Sequence, residues 1–287
     1  IIMKPLFITT VLFSAFLFSE DLIVDSETVH LAGEHYYDNV IILNGGVLAL
    51  VEFGGSNEDQ GTLRLYCDSL YIDATSSIIG NGAGGQYGDG EGGQGSNGNG
   101  SGSSSGGGGG GHGGTGGLGG GDLPGSGGNT YGSYNILKRG SRGGYGYQNN
   151  SGYQIRGTGG GAVYINARIA EINGAIFVNG TAGDHSGSDE YYYYRHGSPG
   201  GGSGGMIWLD IVTLSLEGNL SVEGGVGIPP SGTNYNEEEG YDNRRSGGGG
   251  GGGGRISIVT ESLIDLNLLH ISGGEGGDNG NGFAGLD

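Results

Sequence analysis

Two carboxylates and a carboxamide hold matching places in three stretches of the chain: Asp73, Asn173 and Glu217. If those stretches stack as neighbouring strands, Asp73 and Glu217 lie two strand spacings apart, roughly 9.6 Å. That borders the separation at which paired carboxyl groups hydrolyse a glycosidic bond with inversion. Such a reaction also needs one carboxyl tuned as acid and the other as base. Nothing nearby tunes them, and no cationic cluster accompanies them to receive an acidic polysaccharide. The expectation is therefore a polar ladder, not an enzyme, with no catalytic residue. A second outward pair is aromatic. Tyr164 and Trp208 hold the same offset in successive stretches and are the candidate contacts for a sugar ring. Packing of one ring on the other beneath a loop is the plainer alternative.

Other patterns dissolve into low complexity. Residues 201–205 spell G-x-S-x-G, but a nucleophile elbow needs a strand-to-helix turn and a triad, and no helical period follows. Neither Lys4 nor Lys138 follows a glycine, so there is no phosphate-binding loop of the G-K type. Residues 273–278 open like a calcium-binding nonapeptide. The apolar residue due two positions on is Gly280, and no tandem copy exists. Asp184, His185, Asp189, Glu190 and His196 cluster in one loop at a spacing that matches no known ligand set. The expectation is no metal and no cofactor. Four Asn-Xaa-Ser/Thr sequons occur, at Asn99, Asn149, Asn179 and Asn219. They are candidate glycosylation sites, with Asn179 and Asn219 best placed because both fall on repeat blocks.

The elements that would position these residues come from a repeat. Residues 61–80, 161–180, 205–224 and 254–273 align without gaps. Their apolar positions coincide as Leu63, Val163, Ile207, Ile256; as Leu65, Ile165, Leu209, Ile258; and as Leu70, Ala170, Leu214, Leu263. A further column reads Ile72, Ile172, Leu216 and then, as a departure, Asp265; the last reads Ile78, Val178, Val222, Ile271. Within each block apolar and polar residues alternate with period two, the pattern of strands with one buried face. The expected fold is all-β, a parallel β-helix-like solenoid with long glycine-rich insertions. Residues 20–60 carry looser strand signals and are expected to form an N-terminal cap or starting layers, with repeats over 61–287. The insertions leave at Gly80, Gly180 and Gly224 and return at Gly161, Gly205 and Gly254. They are expected to lie side by side, either mobile or packed as extended, polyproline-II-like segments.

Composition narrows the function classes. Glycine supplies 75 of 287 residues and only 33% are hydrophobic, so no large globular core is expected. The absence of a Gly-X-Y period excludes collagen. With 11 basic against 30 acidic residues the formal charge is −19, which repels phosphate backbones and excludes nucleic acid. Cations are the more natural partners. Cys67 is the only cysteine, so no intramolecular disulfide forms. Met3 and Lys4 followed by the apolar run 6–18 read as a secretory signal over residues 1–19. That run is shorter than the roughly 18 residues needed to cross a bilayer, and no later segment is expected to span one. The outward columns are too mixed for a flat ice-binding array.

The step 204–209, the step 217–225, and the glycine run 247–254 followed by Arg255, Ile256, Ser257 and Ile258 resemble glycine-rich parallel β-helix-like repeat proteins of bacterial and protist cell surfaces and extracellular matrix. The resemblance implies a secreted structural or adhesive surface or matrix protein, with a self-assembling filament or coat subunit as one form of it. Its partners would be further copies or other matrix components. A glycan-binding module is the second expectation, and a polysaccharide-cleaving β-helix enzyme the third.

Overall fold

The computed structural model describes residues 20–85, 95–98, 105–121, 123–146, 154–185, 197–229, 246–270 and 272–275. Among these residues there is no helix. The strands are β1 (Leu22–Asp25), β2 (Thr28–Leu31), β3 (Gly33–Leu43), β4 (Val47–Leu50), β5 (Thr62–Ile72), β6 (Ser77–Ile79), β7 (Gln154–Ile155), β8 (Ala162–Ile172), β9 (Ala175–Phe177), β10 (Asp184–His185), β11 (Met206–Ser221) and β12 (Arg255–His270). Strands β7 and β10 form a small antiparallel pair. The other ten form one parallel sheet that is nearly closed and barrel-like.

Side-chain alternation explains both the strands and the curl. In β5, Leu63, Leu65, Cys67, Leu70 and Ile72 are buried and Arg64, Tyr66 and Tyr71 face the other way. The alternation breaks at Asp68 and Ser69, where two consecutive residues stay outside. It breaks at the equivalent Arg168 and Ile169 of β8 and at Val212 and Thr213 of β11. These aligned breaks make a corner, so the sheet folds around its apolar columns instead of lying flat. The sheet runs β1, β3, β5, β8, β11 and returns through β9, β6, β4, β2. The unbroken strand β11 joins the two halves, pairing with β8 over 206–216 and with β9 over 219–221. Its other edge pairs with β12. Inside lie Val24, Val40, Ile42, Leu48, Leu63, Leu65, Ile72, Ile165, Ile172, Ile207, Leu209, Leu214 and Leu220. Each buried Leu, Ile or Val contributes about 1.5–3 kcal/mol relative to exposure.

The register follows the sequence columns through the first half of each block. Leu63 pairs Val163, which pairs Ile207, which pairs Ile256. Two columns need correction. Ile78 stands beside Ile176, not Val178. The turn after β5 holds four residues, 73–76, where the turn after β8 holds only Asn173 and Gly174, so β6 is displaced by two. Gly80 therefore falls beside Val178, its amide bonded to Phe177 O, and Gly82 occupies the place expected for Gly80. The second correction concerns Asp265. A β-bulge after Leu263 pairs Asp265 with Ser215 and brings Leu266 opposite Leu216, restoring the apolar residue to its column.

The glycine-rich insertions pack into a bundle with its own rule. Along residues 106–110 the backbone partners recur every third residue. Gly106 and Gly109 donate to Gly120 and Gly117, Gly107 and Gly110 donate to Ser198 and Gly201, and Gly108 donates to Ser96. Their carbonyls accept from Gly125 and Gly128, from Gly249 and Gly252, and from Gly144. A period of three is that of the extended polyproline-II helix. Donors and acceptors leave in six directions, so the segment has six neighbours. Residues 197–205 are surrounded in the same way, by segments 107–110, 141–144, 157–160, 178–181, 225–228 and 246–252. This geometry requires glycine. A Cβ on Gly202 would lie 2.0 Å from Thr158 O, and on Gly201 2.0 Å from Gly225 O.

Candidate functional site

The outer face of β3, β5, β8 and β11 gathers aromatic rings. Register places Arg64, Tyr164 and Trp208 in one column, and Tyr36, Tyr66, Asn166 and Asp210 in the next. Both columns point outward because they alternate with the buried Leu65, Ile165 and Leu209. The rings form a continuous file. Tyr36 stacks on Tyr66 at 4.8 Å, Tyr66 meets Tyr164 edge-on at 5.7 Å, and Tyr164 meets Trp208 at 4.7 Å with planes tilted by 58°. Tyr164 and Trp208 thus come together as the sequence placed them. Tyr36 and Tyr66 were missed. Their signal is the same period-two spacing: Tyr66 stands in an aligned block whose equivalents, Asn166 and Asp210, are not aromatic, and Tyr36 lies on β3, outside the aligned blocks.

Polar groups edge this file. Tyr164 Oη donates to Asp210 Oδ2 at 3.2 Å, and Asn166 Nδ2 donates to the same oxygen at 3.3 Å. Burial, with Asp210 beside it, pushes the Tyr164 phenol up to about 12. The hydrogen bond to Glu34 raises Tyr36 to about 12 as well. These phenols act as neutral donors. Trp208 Nε1 is closed off from solvent and has no hydrogen-bond partner. An indole N–H is a donor only, and this one lies buried beneath the ring file without an acceptor. Beyond the corner, Arg168 holds Asp68 with two bonds of 2.6 and 2.9 Å, an exposed clamp between β5 and β8.

Of the carboxylates Asp73 and Glu217, Glu217 is exposed on β11 and Asp73 is half-buried just beyond the end of β5. Asp73 closes the turn after β5. It accepts from Asn44 N–H at 2.5 Å and from Thr75 N–H and Oγ1 at 2.8 and 2.9 Å. Partial desolvation pulls its pKa upward, but these donors outweigh it and hold the carboxyl at about 2. An acid that stays ionised to such a pH cannot donate a proton to a leaving group near neutrality.

The remaining candidates separate. Ser203, the serine of the G-x-S-x-G pattern, is buried in the glycine bundle with its Oγ accepting from Ser141 N–H at 2.8 Å. Gly274 and Glu275, the start of the calcium-like stretch, belong to the same bundle through bonds to Gly251 and Gly227. No group of three metal-ligating side chains forms among the described residues. Asn179 sits in a ladder. Its backbone N–H bonds Asn81 Oδ1, its own Oδ1 accepts from Ser221 Oγ and Glu223 N–H, and Glu223 accepts from Ser272. Asn219 lies half-buried on β11. Asn99, Asn149, Asp189, Glu190, His196 and residues 1–19, the stretch expected to be a secretory signal, lie outside the described residues. Cys67 is buried, and desolvation with Asp68 nearby pushes its thiol up to about 12. No helix of the described residues is long and apolar enough to cross a membrane.

No family model matches this sequence, and no curated protein and no solved structure matches it.

Proposed function

We propose that this chain is a secreted structural or adhesive protein of a cell surface or extracellular matrix, a β-solenoid that self-assembles as a filament or coat subunit. The observation that carries the reading is the glycine bundle. Segments 106–110 and 197–205 direct their backbone groups at six neighbours, and the side chains that they carry, Ser198, Pro199 and Ser203, are buried. A large share of the chain is thereby given to a dense hydrogen-bonded solid fused to a stacked sheet, an investment suited to stiffness rather than turnover. The outer face is consistent with this: Asp73 is fixed as a turn closure and Ser203 is buried. Electron microscopy and sedimentation of the purified protein test the reading. Elongated or sheet-like assemblies are expected, and monodisperse monomers at every concentration overturn it.

A second reading, glycan binding, is favoured by one observation, the outward file of rings formed by Tyr36, Tyr66, Tyr164 and Trp208. Trp208 is the only tryptophan, so its fluorescence reports the site alone. Titration with neutral and acidic polysaccharides should shift that emission, and Tyr164→Ala should weaken the response. An unchanged spectrum across the series removes the reading.

A further inference from the structure

The two ends of the parallel stack carry the same columns. At one end β1 and β2 present Leu22, Val24, Val29 and Leu31, paired inward with Val40, Ile42, Leu48 and Leu50. At the other, β12 carries Leu263 and Leu266 in the columns that run through β3, β5, β8 and β11, and Leu269 in the one that runs through β4, β6, β9 and β11. Both ends are short of cover. Leu214 and Leu220 are fully buried, whereas Leu263 and Leu269, one strand further out, are 45% and 40% exposed. Leu22, Val29 and Leu31 are only partly buried. Among the described residues no strand pairs with the outer edge of β12.

A polar ladder makes the ends complementary. Ser69 Oγ donates to Asn39 Oδ1, and Asn39 Nδ2 donates to Asp21 Oδ1. Asp21 is the last acceptor of this ladder and is exposed. The same column passes from Ser69 through Ile169 and Thr213 to Ser262 on β12, an exposed hydroxyl that can donate. The break in β12 between Leu266 and Leu268 falls at the same place as the gap between β1 and β2, which is two residues longer counted from Val24 to Thr28.

Resting on the assembly reading above, we infer that the partner of the β12 edge is the β1–β2 edge of a second copy. The strands join in parallel, with Leu263 beside Leu22, Leu269 beside Val29, and Ser262 donating to Asp21. The contact is heterologous, and repetition gives an open chain of subunits rather than a closed dimer. Every strand already runs parallel to its neighbours, so the joint repeats the pairing found inside the molecule. Unpaired edge amides and carbonyls supply the directional part of the attraction.

The test uses two kinds of variant. Leu263→Lys blocks one edge and Leu22→Lys the other, with circular dichroism checking that each folds. Each alone should lose species larger than a monomer in sedimentation. Mixed in equal amounts they should form one-to-one dimers and nothing longer, because each supplies the edge that the other lacks. Independently, the double variant Asp21→Cys with Ser262→Cys should give a ladder of disulfide-linked oligomers on oxidation. Within one copy the two positions are five strand spacings apart, about 24 Å, too far to bridge. At the proposed joint they are neighbours. If the unaltered protein assembles but neither block nor cysteine pair has an effect, the joint is overturned and the assembly reading stands. If the unaltered protein is monomeric at every concentration, both fall.

Discussion

Asp73 illustrates how a residue that looks chemical is claimed by structure. Its carboxylate accepts from the backbone of Asn44, a full strand away in sequence, and from Thr75. Because its folded pKa is depressed, its contribution to stability is complete above the unfolded value of about 3.9 and is lost as pH falls through about 2. Urea denaturation between pH 5 and pH 2 should show that loss, and Asp73→Asn should flatten the curve in that window. Tyr164 works in the opposite direction. Its raised pKa keeps its contribution whole below about 10 and removes it as pH rises towards about 12. Ultraviolet titration should show a late-ionising fraction that shrinks by one phenol in Tyr164→Phe, with Tyr36 still contributing to it. The sequence offset placed Asp73, Asn173 and Glu217 in one column and paired Tyr164 with Trp208. It could not reveal the donors on Asp73, because these come from turns whose lengths obey no period.

At the scale of the element, strands and glycine segments obey different rules of substitution. A strand of this sheet tolerates change on its outward face, where Arg64, Tyr164, Trp208 and Ser257 share one column. A bundle segment with six neighbours has no outward face. Gly202→Ala would set a methyl 2.0 Å from Thr158 O and 2.3 Å from its carbon. Backbone must move, so the expected loss is at least the roughly 1–3 kcal/mol of an overpacked core, measurable as a lowered denaturation midpoint. The strands were legible because apolar and polar residues alternate. The displacement of β6 was not, because only the difference between the turns 73–76 and 173–174 produces it. The bulge was hinted at by Asp265, the one charged residue in an apolar column.

At the scale of the molecule, sheet and bundle form one hydrogen-bonded body. Gly205 N–H bonds Val178 O and Arg255 N–H bonds Gly205 O, so the bundle runs into β11 and β12 without a joint. Amides of Gly248, Gly249, Gly251 and Gly252 donate to Ile228, Gly107, Gly225 and Gly110. They should exchange with deuterium as slowly as the amides of β8; exchange at free-peptide rates would show the bundle to be open in solution. A buried pin ties the longest insertion to the first strands. Arg139, 2% exposed, donates to Gln60 O at 2.7 Å and to Glu58, and covers the Phe53 ring at 3.6 Å. Arg139→Ala should speed exchange around residues 106–120 before it affects β8. Hydrophobic pattern could not foresee this pin, because a lone arginine in a glycine-rich stretch carries no period.

The threefold bundle also changes what a copying error in the gene does. A run of glycine codons is prone to gain or lose a unit during replication. In a strand, one residue more or less turns every following side chain to the opposite face. In a threefold extended helix the same change is a screw step of about 3.1 Å, and identical glycines land on the donors and acceptors that their neighbours vacate. Strand β12 anchors one end of the run 247–254, so the step is passed back towards Ser246 and the residues before it. The bundle thus absorbs drift in the length of its own coding repeat and leaves the register of the sheet untouched.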